Sequence, residues 1–343
     1  MTSSAAKPSL LAVTMGEPAG IGGELTLKAW LRRHKHGPSF VTIDNADRLK
    51  YLADLLQLNV PVVSLSNIEE ANEIFDQALP VFNVTLKHNA VPGVPDLQNA
   101  STVIEAIKMA VAFAGKKIIA GVVTNPIHKN TLYKTGFSFP GHTEYIAALR
   151  TTANPPAMML TCSNAQPSLR VVPVTSHIGL RQALFDLNPA LIIQKSFLLH
   201  SALINDFGIE RPRIAIAGLN PHAGEQGTMG DDEATIIQPA IDKLRSDGIR
   251  ILGPESPDTM FSSMHRKHYD AAVCMYHDQA LIPVKTLDFF GGVNITLGLD
   301  IVRTSPDHGT ALDIAGIGKA DPSSLIAALD MAAGIAATRA LRS

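Results

Sequence analysis

Cysteine is nearly absent from this sequence: Cys162 and Cys274 are the only two in 343 residues, each inside an apolar run (AMMLTC and AAVCMY). That excludes a disulfide framework and makes both read as small buried hydrophobes suited to a reducing compartment. Excess charge is lacking too. Lys and Arg number 29 against 31 Asp and Glu, a formal charge of -2 with both signs mixed along the chain. No broad positive surface is available for a phosphate backbone or an anionic membrane, so nucleic acid is not expected as a partner. No uncharged apolar run reaches the about 18 residues needed to cross a bilayer. The opening MTSSAAKPS lacks an apolar signal core, so the expectation is a cytoplasmic protein with no membrane partner. Also missing are G-x-G-x-x-G and the Walker A pattern, which leaves a standard Rossmann domain unsupported.

What is present describes a well-buried enzyme. Apolar residues make up 46% and charged residues 17%. At this length the chain fits two lobes with a cleft between them better than one core. Short β-branched runs (LLAVTM, SFVTIDN, PVVSLS, IIAGVVT, AMMLTC, RVVPVTS, RIAIAGL, DAAVCMY, VNITLG) alternate with longer amphipathic segments, which predicts an α/β fold. Thr102 and Glu105 have the spacing of a capping box, opening a helix with Val103, Ile107, Ala110, Val111 and Ala114 on one face. Further helices are expected near residues 189 to 205, 232 to 247 and 322 to 341. No repeat, low-complexity tract or Pro/Gly linker interrupts the chain, so crossing strands rather than a tether should join the lobes.

Three histidines occupy one kind of place. His177 follows RVVPVTS, His222 follows RIAIAGLNP and His277 follows DAAVCMY, each just past the carboxyl end of an apolar run. In open α/β sheets ligands bind beyond those strand ends, where loops project side chains from a rigid base. Three imidazoles converging there can hold one divalent metal and leave coordination positions open, as a Lewis-acid site requires. Any one of the 12 histidines after a strand is more often a loop hydrogen bonder. The polar, Gly-containing surroundings (TSHIGLR, GLNPHAGEQGTMG, YHDQ) favour the joint reading.

Two segments carry phosphate or nucleotide signals. GEPAGIGGE, from Gly16 to Glu24, is a glycine turn between a strand and a helix, as compatible with a structural corner as with a ligand contact. RTSPDHGTALDIAGIGKADP, from Arg303 to Pro322, is dense in Gly, Asp, Thr and His, the composition of a binding loop. GHTE (Gly141 to Glu144), Lys285, Asn294 and Arg303 supply donors able to hold a phosphate and a carboxylate.

Taken together, GEPAGIG, NPIHK (125 to 129), GHTEY (141 to 145), GLNPHAGE (218 to 225), YHDQ (276 to 279), GVNITLGL (292 to 299) and RTSPDHGTALDIAGIGKAD resemble one family over nearly the whole chain. That family is the 4-hydroxythreonine-4-phosphate dehydrogenases of vitamin B6 synthesis. It is similar in fold to isocitrate and isopropylmalate dehydrogenases, a two-domain α/β/α sandwich that binds the dinucleotide without a Rossmann fingerprint. The resemblance implies a NAD-binding domain of residues 1–135 and 280–343 and a metal-binding and dimerisation domain of residues 136–279.

Carried over motif by motif, it implies metal ligands at His177, His222 and His277, the three already singled out by position. It implies substrate contacts at His142, Thr143, Lys285, Asn294 and Arg303. In the related dehydrogenases a loop like DHGTALDIAGIGKAD contacts adenosine, which implies a cofactor role for His308, Gly309, Asp313, Gly316 and Lys319. The expected cofactors are NAD, with NADP open, and one divalent ion, with zinc, magnesium and cobalt all suited to imidazoles. A homodimer with the active site at the subunit interface is also implied, so the three histidines need not come from one chain.

The reaction implied is hydride transfer from C3 of a small phosphorylated alcohol, followed by decarboxylation. Asp258 (in PDTMF) and Asp278 (in YHDQ) are candidates either to take the proton or to orient a ligand histidine. The sequence departs from the family pattern at Gly23, where Pro is frequent, at Gly179, also a frequent Pro, and at Gln226, a frequent Gly. None of these removes a ligand. Paralogues acting on threonate or erythronate 4-phosphate, and phosphate acyltransferases of similar architecture, are the competing enzyme readings. A non-catalytic binding module ranks last.

Overall fold

All nine apolar runs form strands, and three further strands join them. The structure is a computed structural model that describes residues 10–33, 37–150, 155–162 and 165–342; the opening MTSSAAKPS lies outside them. The chain forms two compact units, Met1–Ala153 with Leu299–Ala340, and Asn154–Gly298 with Leu341–Ser343. The sequence places the boundaries at 135/136 and 279/280, earlier than these. The first moves because helix His142–Arg150 packs on helix Ala100–Gly115, and the second because strand Gly292–Leu297 pairs with Ala157–Cys162.

In the first unit, β1 (Leu11–Thr14), β2 (Phe40–Asp44), β3 (Val62–Leu65), β4 (Leu79–Asn83), β5 (Gly121–Thr124) and β12 (Val302–Pro306) follow the order β3-β4-β2-β1-β5-β12. Every pairing is parallel, with Leu11 opposite both Phe40 and Gly121 and Arg303 opposite Val122. The strands read as continuous apolar runs because helices cover both faces. Helix Ala100–Gly115 buries Val103, Ile107, Ala110, Val111 and Ala114, the face its periodicity predicts. Its start corrects the capping-box reading. The helix opens before Thr102, after a 3-10 turn at Leu97–Asn99 capped by Asp96, and the Thr102 hydroxyl donates to the Thr85 carbonyl.

In the second unit, β6 (Ala157–Cys162), β7 (Leu169–Pro173), β8 (Arg213–Ala217), β9 (Arg250–Glu255), β10 (Ala271–Cys274) and β11 (Gly292–Leu297) follow the order β11-β6-β7-β10-β8-β9. β11, β6 and β7 run antiparallel to one another, whereas β7, β10, β8 and β9 are parallel. Cys162 and Cys274 are both free and buried in this unit's apolar core, and burial pushes both thiols above their ordinary values. Helix Ser323–Arg342 is long and apolar enough to cross a membrane by length and composition. Asp330 and Arg339 interrupt it, and Leu325, Ala328, Leu329, Ala332 and Ile335 are buried, with the Thr304 hydroxyl donating to the Ala328 carbonyl.

One buried ion pair anchors the first unit beside the glycine turn. Arg48 reaches both carboxylate oxygens of Asp44, at 2.9 and 2.8 Å, and its Nε donates to the Pro18 carbonyl at 3.1 Å. Gly23 makes room for it: a Cβ there would stand 3.0 Å from the guanidinium. Burial holds the Asp44 carboxyl above its ordinary value despite the neighbouring Arg48 charge. A raised carboxyl stabilises the fold when protonated and loses that contribution as pH rises through the raised value. Arg48→Ala should therefore cost about 3 to 5 kcal/mol near neutrality, because it strands a buried carboxylate. Urea unfolding should show the cost shrinking as pH falls through the raised value, with no further change below about pH 4, where Asp44 is protonated in both states; a pH-independent cost contradicts this reading.

Candidate active site

Adjacent parallel strands β7, β10 and β8 end in the three loops that carry the expected metal ligands. His177 lies four residues past Pro173, His277 three past Cys274 and His222 five past Ala217. The His177 and His277 rings face each other with centroids 5.4 Å apart and planes at 48°. Two imidazoles sharing one ion, with bonds of about 2.1 Å, need ring centres on the order of 5 Å apart, so this pair has the spacing of co-ligands. They border a cleft of about 170 Å³ that Thr175, Ile178, Tyr276 and Asp278 also line.

The donor chemistry fits a metal as well. Nδ1 of His277 donates to Oδ1 of Asp278 at 2.7 Å, which leaves Nε2 as the coordinating nitrogen, the carboxylate–histidine arrangement of metal sites. Nδ1 of His222 stands 3.9 Å from Oδ2 of Asp258, whose Oδ1 accepts from the Ser256 hydroxyl at 2.6 Å. His222 does not complete a trio here. Among the described residues no three His, Cys, Asp or Glu side chains are placed to hold an ion together.

His222 sits in an unusual backbone turn. Residues His222–Gly227 all have positive φ, at 52°, 51°, 78°, 39°, 59° and 90° in order. Each non-glycine residue in such a conformation costs roughly 1 to 2 kcal/mol. Glu233, 7% exposed, lies under the turn and accepts hydrogen bonds from the backbone of Leu219 and Asn220. Burial raises its carboxyl, but hydrogen bonds from Asn220 and Leu219 outweigh it and hold the group below its ordinary value.

The expected substrate contacts divide between the units. In the first, His142 and Thr143 open helix His142–Arg150, and Arg303 projects from β12. Arg303 is 3% exposed and donates to the Thr124 hydroxyl at 2.7 Å. Burial lowers its pKa to about 10, which leaves it cationic at neutral pH. Burial, then the charges of Arg303 and Lys129, hold His142 well below its ordinary pKa, so its ring is neutral. Its Nε2 is buried and has no hydrogen-bond partner among the described residues, the mark of a group shaped for a ligand. In the second unit, Lys285 lies on helix His277–Leu287 with Nζ 5.2 Å from the Phe289 ring. Asn294 on β11 carries a buried Oδ1 likewise without a partner among the described residues.

The loop expected to hold the nucleotide is in the first unit. Gly309 and Asp313 are exposed, as is Lys319, while His308 and Gly316 are half-buried. Its backbone is fixed by the glycine turn: Ile21 N–H donates to the Thr310 carbonyl at 3.1 Å, and Ala320 N–H donates to Glu24 at 2.9 Å. Lys28 Nζ donates to the carbonyls of Gly318 and Ala320, at 2.8 and 2.7 Å, while paired to Glu24. Gly316 has φ +74° and a Cβ there would meet Pro92 at 2.7 Å. GEPAGIGGE thus serves as a platform for the later loop.

Sequence reasoning passed over Lys129, Asn125, Glu24, Lys28 and Glu233. NPIHK contains the first two, and Glu24 with Lys28 has helical i,i+4 spacing. Nothing local in the sequence marks Glu233, whose partners lie 13 and 14 residues away.

The family model described as pyridoxal phosphate biosynthetic protein PdxA matches residues 37–332. A 4-hydroxythreonine-4-phosphate dehydrogenase from Bradyrhizobium diazoefficiens is 48% identical over 99% of this chain and 100% of its own length. One from Maricaulis maris is 49% identical over 97% of this chain and 99% of its own. The crystal structure of a 4-hydroxythreonine-4-phosphate dehydrogenase from Klebsiella pneumoniae superposes with a TM-score of 0.84 at 37% identity, covering 96% of this chain and 99% of the other. With the match running almost end to end, the chain belongs to the PdxA family of pyridoxal phosphate biosynthetic proteins.

Proposed function

We propose that this chain oxidises 4-phosphooxy-L-threonine at C3 to 2-amino-3-oxo-4-phosphooxybutanoate, which then loses carbon dioxide to give 3-amino-2-oxopropyl phosphate. The observation that carries the reading is the facing pair His177 and His277 at the ends of neighbouring strands. The relatives' names supply the substrate.

His177, His277 and His222 would hold a divalent ion, zinc, magnesium or cobalt, and such an ion supplies Lewis acidity to the alcohol being oxidised. His308, Gly309, Asp313, Gly316 and Lys319 would hold NAD, with NADP open, and the bound nicotinamide would supply the hydride acceptor for C3. Arg303 and Lys285 bind the substrate's anionic groups by charge-assisted hydrogen bonds. Neutral His142, with Thr143 and Asn294, adds uncharged polar contacts that orient the substrate without repelling the neighbouring cations. Asp278 fixes the tautomer and direction of His277, and Asp258 faces His222. Either carboxylate is a candidate to take the proton released from the alcohol. The oxo acid then loses its carboxylate because the adjacent carbonyl takes up the electron pair.

A homodimer in the cytoplasm is part of this reading, with His222 completing its partner's site. Support comes from the apolar side chains exposed beside the site residues: Leu180 (57%), Leu184 (48%) and Phe185 (84%) follow His177, while Ile282 (63%), Phe289 (65%) and Phe290 (64%) surround Lys285. Large apolar side chains exposed in number beside a site are a common mark of an interface.

Chelation should abolish turnover, and zinc, cobalt or magnesium should restore it; His222→Ala should reduce kcat by on the order of a thousandfold or more while circular dichroism stays unchanged. Full activity of the chelated protein, followed at the reduced-nicotinamide absorbance, rules the scheme out. A substrate panel under NAD and NADP should give the highest kcat/KM for the hydroxythreonine phosphate with NAD. Preference for threonate or erythronate 4-phosphate would assign the chain to a paralogous activity instead.

A further inference from the structure

The turn that presents His222 is tied locally by backbone bonds from Ala223 N–H to Asn220 and from Met229 N–H to Gly224, yet its left-handed residues remain strained. Four of its six left-handed residues, His222, Ala223, Glu225 and Gln226, carry a Cβ that crowds the following carbonyl in this conformation. Such a turn persists only where surrounding structure over-determines it. Within the turn the side chains of Glu225 and Gln226 are exposed and supply no such restraint.

The restraint comes from Glu233, the first residue of a single π-helical turn, Glu233–Ile237. One carboxylate oxygen accepts from the backbone N–H of Leu219 at 2.8 Å and of Asn220 at 2.7 Å. The other accepts from Asn220 Nδ2 at 3.0 Å, and that amide also reaches Asp232 at 2.9 Å. The fit has no slack. A Cβ on Gly224 would stand 2.6 Å from Glu233 Oε2, and one on Gly230 would stand 2.6 Å from Asn220 Nδ2. Single π-turns inside helices recur at functional sites because the extra residue re-aims a side chain. Here the side chain that is aimed is Glu233, at the root of the turn.

We propose that Glu233 is a positioning residue for His222: clamped to Leu219 and Asn220, it locks the left-handed turn and so fixes where the imidazole stands for a divalent cation. The assignment rests on His222 being a metal ligand. Asp258 faces the ring itself, whereas Glu233 acts on the backbone beneath it, touching neither cation nor substrate. Removing Glu233 lets the turn relax toward ordinary right-handed or extended backbone, and the ring moves with it.

The test uses the full-length, chelator-stripped protein and its Glu233→Ala, Glu233→Gln and His222→Ala variants, with Co²⁺ as probe. Amide exchange at Leu219 and Asn220 is measured in the metal-free protein, and Co²⁺ affinity is read from its visible absorption. Glu233→Ala should speed exchange at both amides and weaken Co²⁺ binding about tenfold to a hundredfold, the range found when residues supporting metal ligands are removed. Glu233→Gln keeps one carbonyl oxygen for the two backbone donors and should recover most of both losses. His222→Ala should lose Co²⁺ affinity with exchange unchanged. Should Glu233→Ala fail to fold, Glu233→Asp takes its place, since the shorter side chain draws the carboxylate back from both amides without deleting it. Unchanged Co²⁺ affinity in the Glu233 variant, alongside a weakened His222→Ala, overturns the positioning role and leaves the ligand assignment standing. A lower melting temperature with unchanged Co²⁺ affinity does the same, making Glu233 a purely structural group. Unchanged Co²⁺ affinity in His222→Ala overturns the ligand assignment itself.

Discussion

Backbone groups that leave a parallel strand at its carboxyl end lose their ladder partners just where the chain must form a binding loop. Each such group, once buried, needs another partner. In both units the partner is a buried polar side chain brought from elsewhere. Asn125 Nδ2, at the end of β5, donates to the carbonyls of Thr14 and Gly22 and holds the glycine turn after β1. Gln279 accepts from Met275 N–H and donates to the Gly218 carbonyl, joining the loops after β10 and β8. The Thr175 hydroxyl donates to the Met275 carbonyl, tying the loop of His177 to that of His277. Glu24 and Lys28 do the same for the loop at 318–320. The side chains of the proposed site are therefore carried by loops whose main chains are already fixed, the preorganisation that the proposed chemistry would use.

Burial sets the electrostatics of the first unit in the same economical way. Arg303 leaves solvent on β12 and keeps its charge, while the neighbouring His142 gives its charge up. If both residues meet the substrate as proposed, a charged imidazole would couple anion binding to pH, whereas the neutral ring leaves the charge-assisted contact to Arg303, whose charge persists across the physiological range.

How much of this was legible in the sequence follows from what each residue's neighbours look like along the chain. The nine apolar strands announce themselves, and with them the three histidines just past their ends. β12 was hidden because its sequence, VRTSP, is polar: its Arg, Thr and Ser are buried all the same, so composition reads as a loop. β9 contains Gly-Pro, and β4 has Pro within five residues, the usual marks of a turn. Helix Ala100–Gly115 was legible by its face and misread at its start. Thr102 bonds to Thr85, a tertiary partner that no capping pattern can anticipate. The left-handed turn at His222 was invisible for the same reason, since its restraint, Glu233, is supplied by another element.

The three departures from the family pattern acquire three different physical meanings. Gly23 is needed where it stands: Arg48 fills the space a side chain would take, so Pro at 23 and this placement of Arg48 exclude one another. Gly179, at φ -62° with nothing within 4 Å of a would-be Cβ, has a backbone angle that Pro also adopts, and its substitution loses only the stiffening Pro gives. Gln226 is the costly one. At φ 59° it places a Cβ where glycine would be relaxed, in the turn that carries His222. A chain that keeps Gln there depends more heavily on the Glu233 clamp than a relative with Gly would, because the same turn must be held against a stronger tendency to unwind.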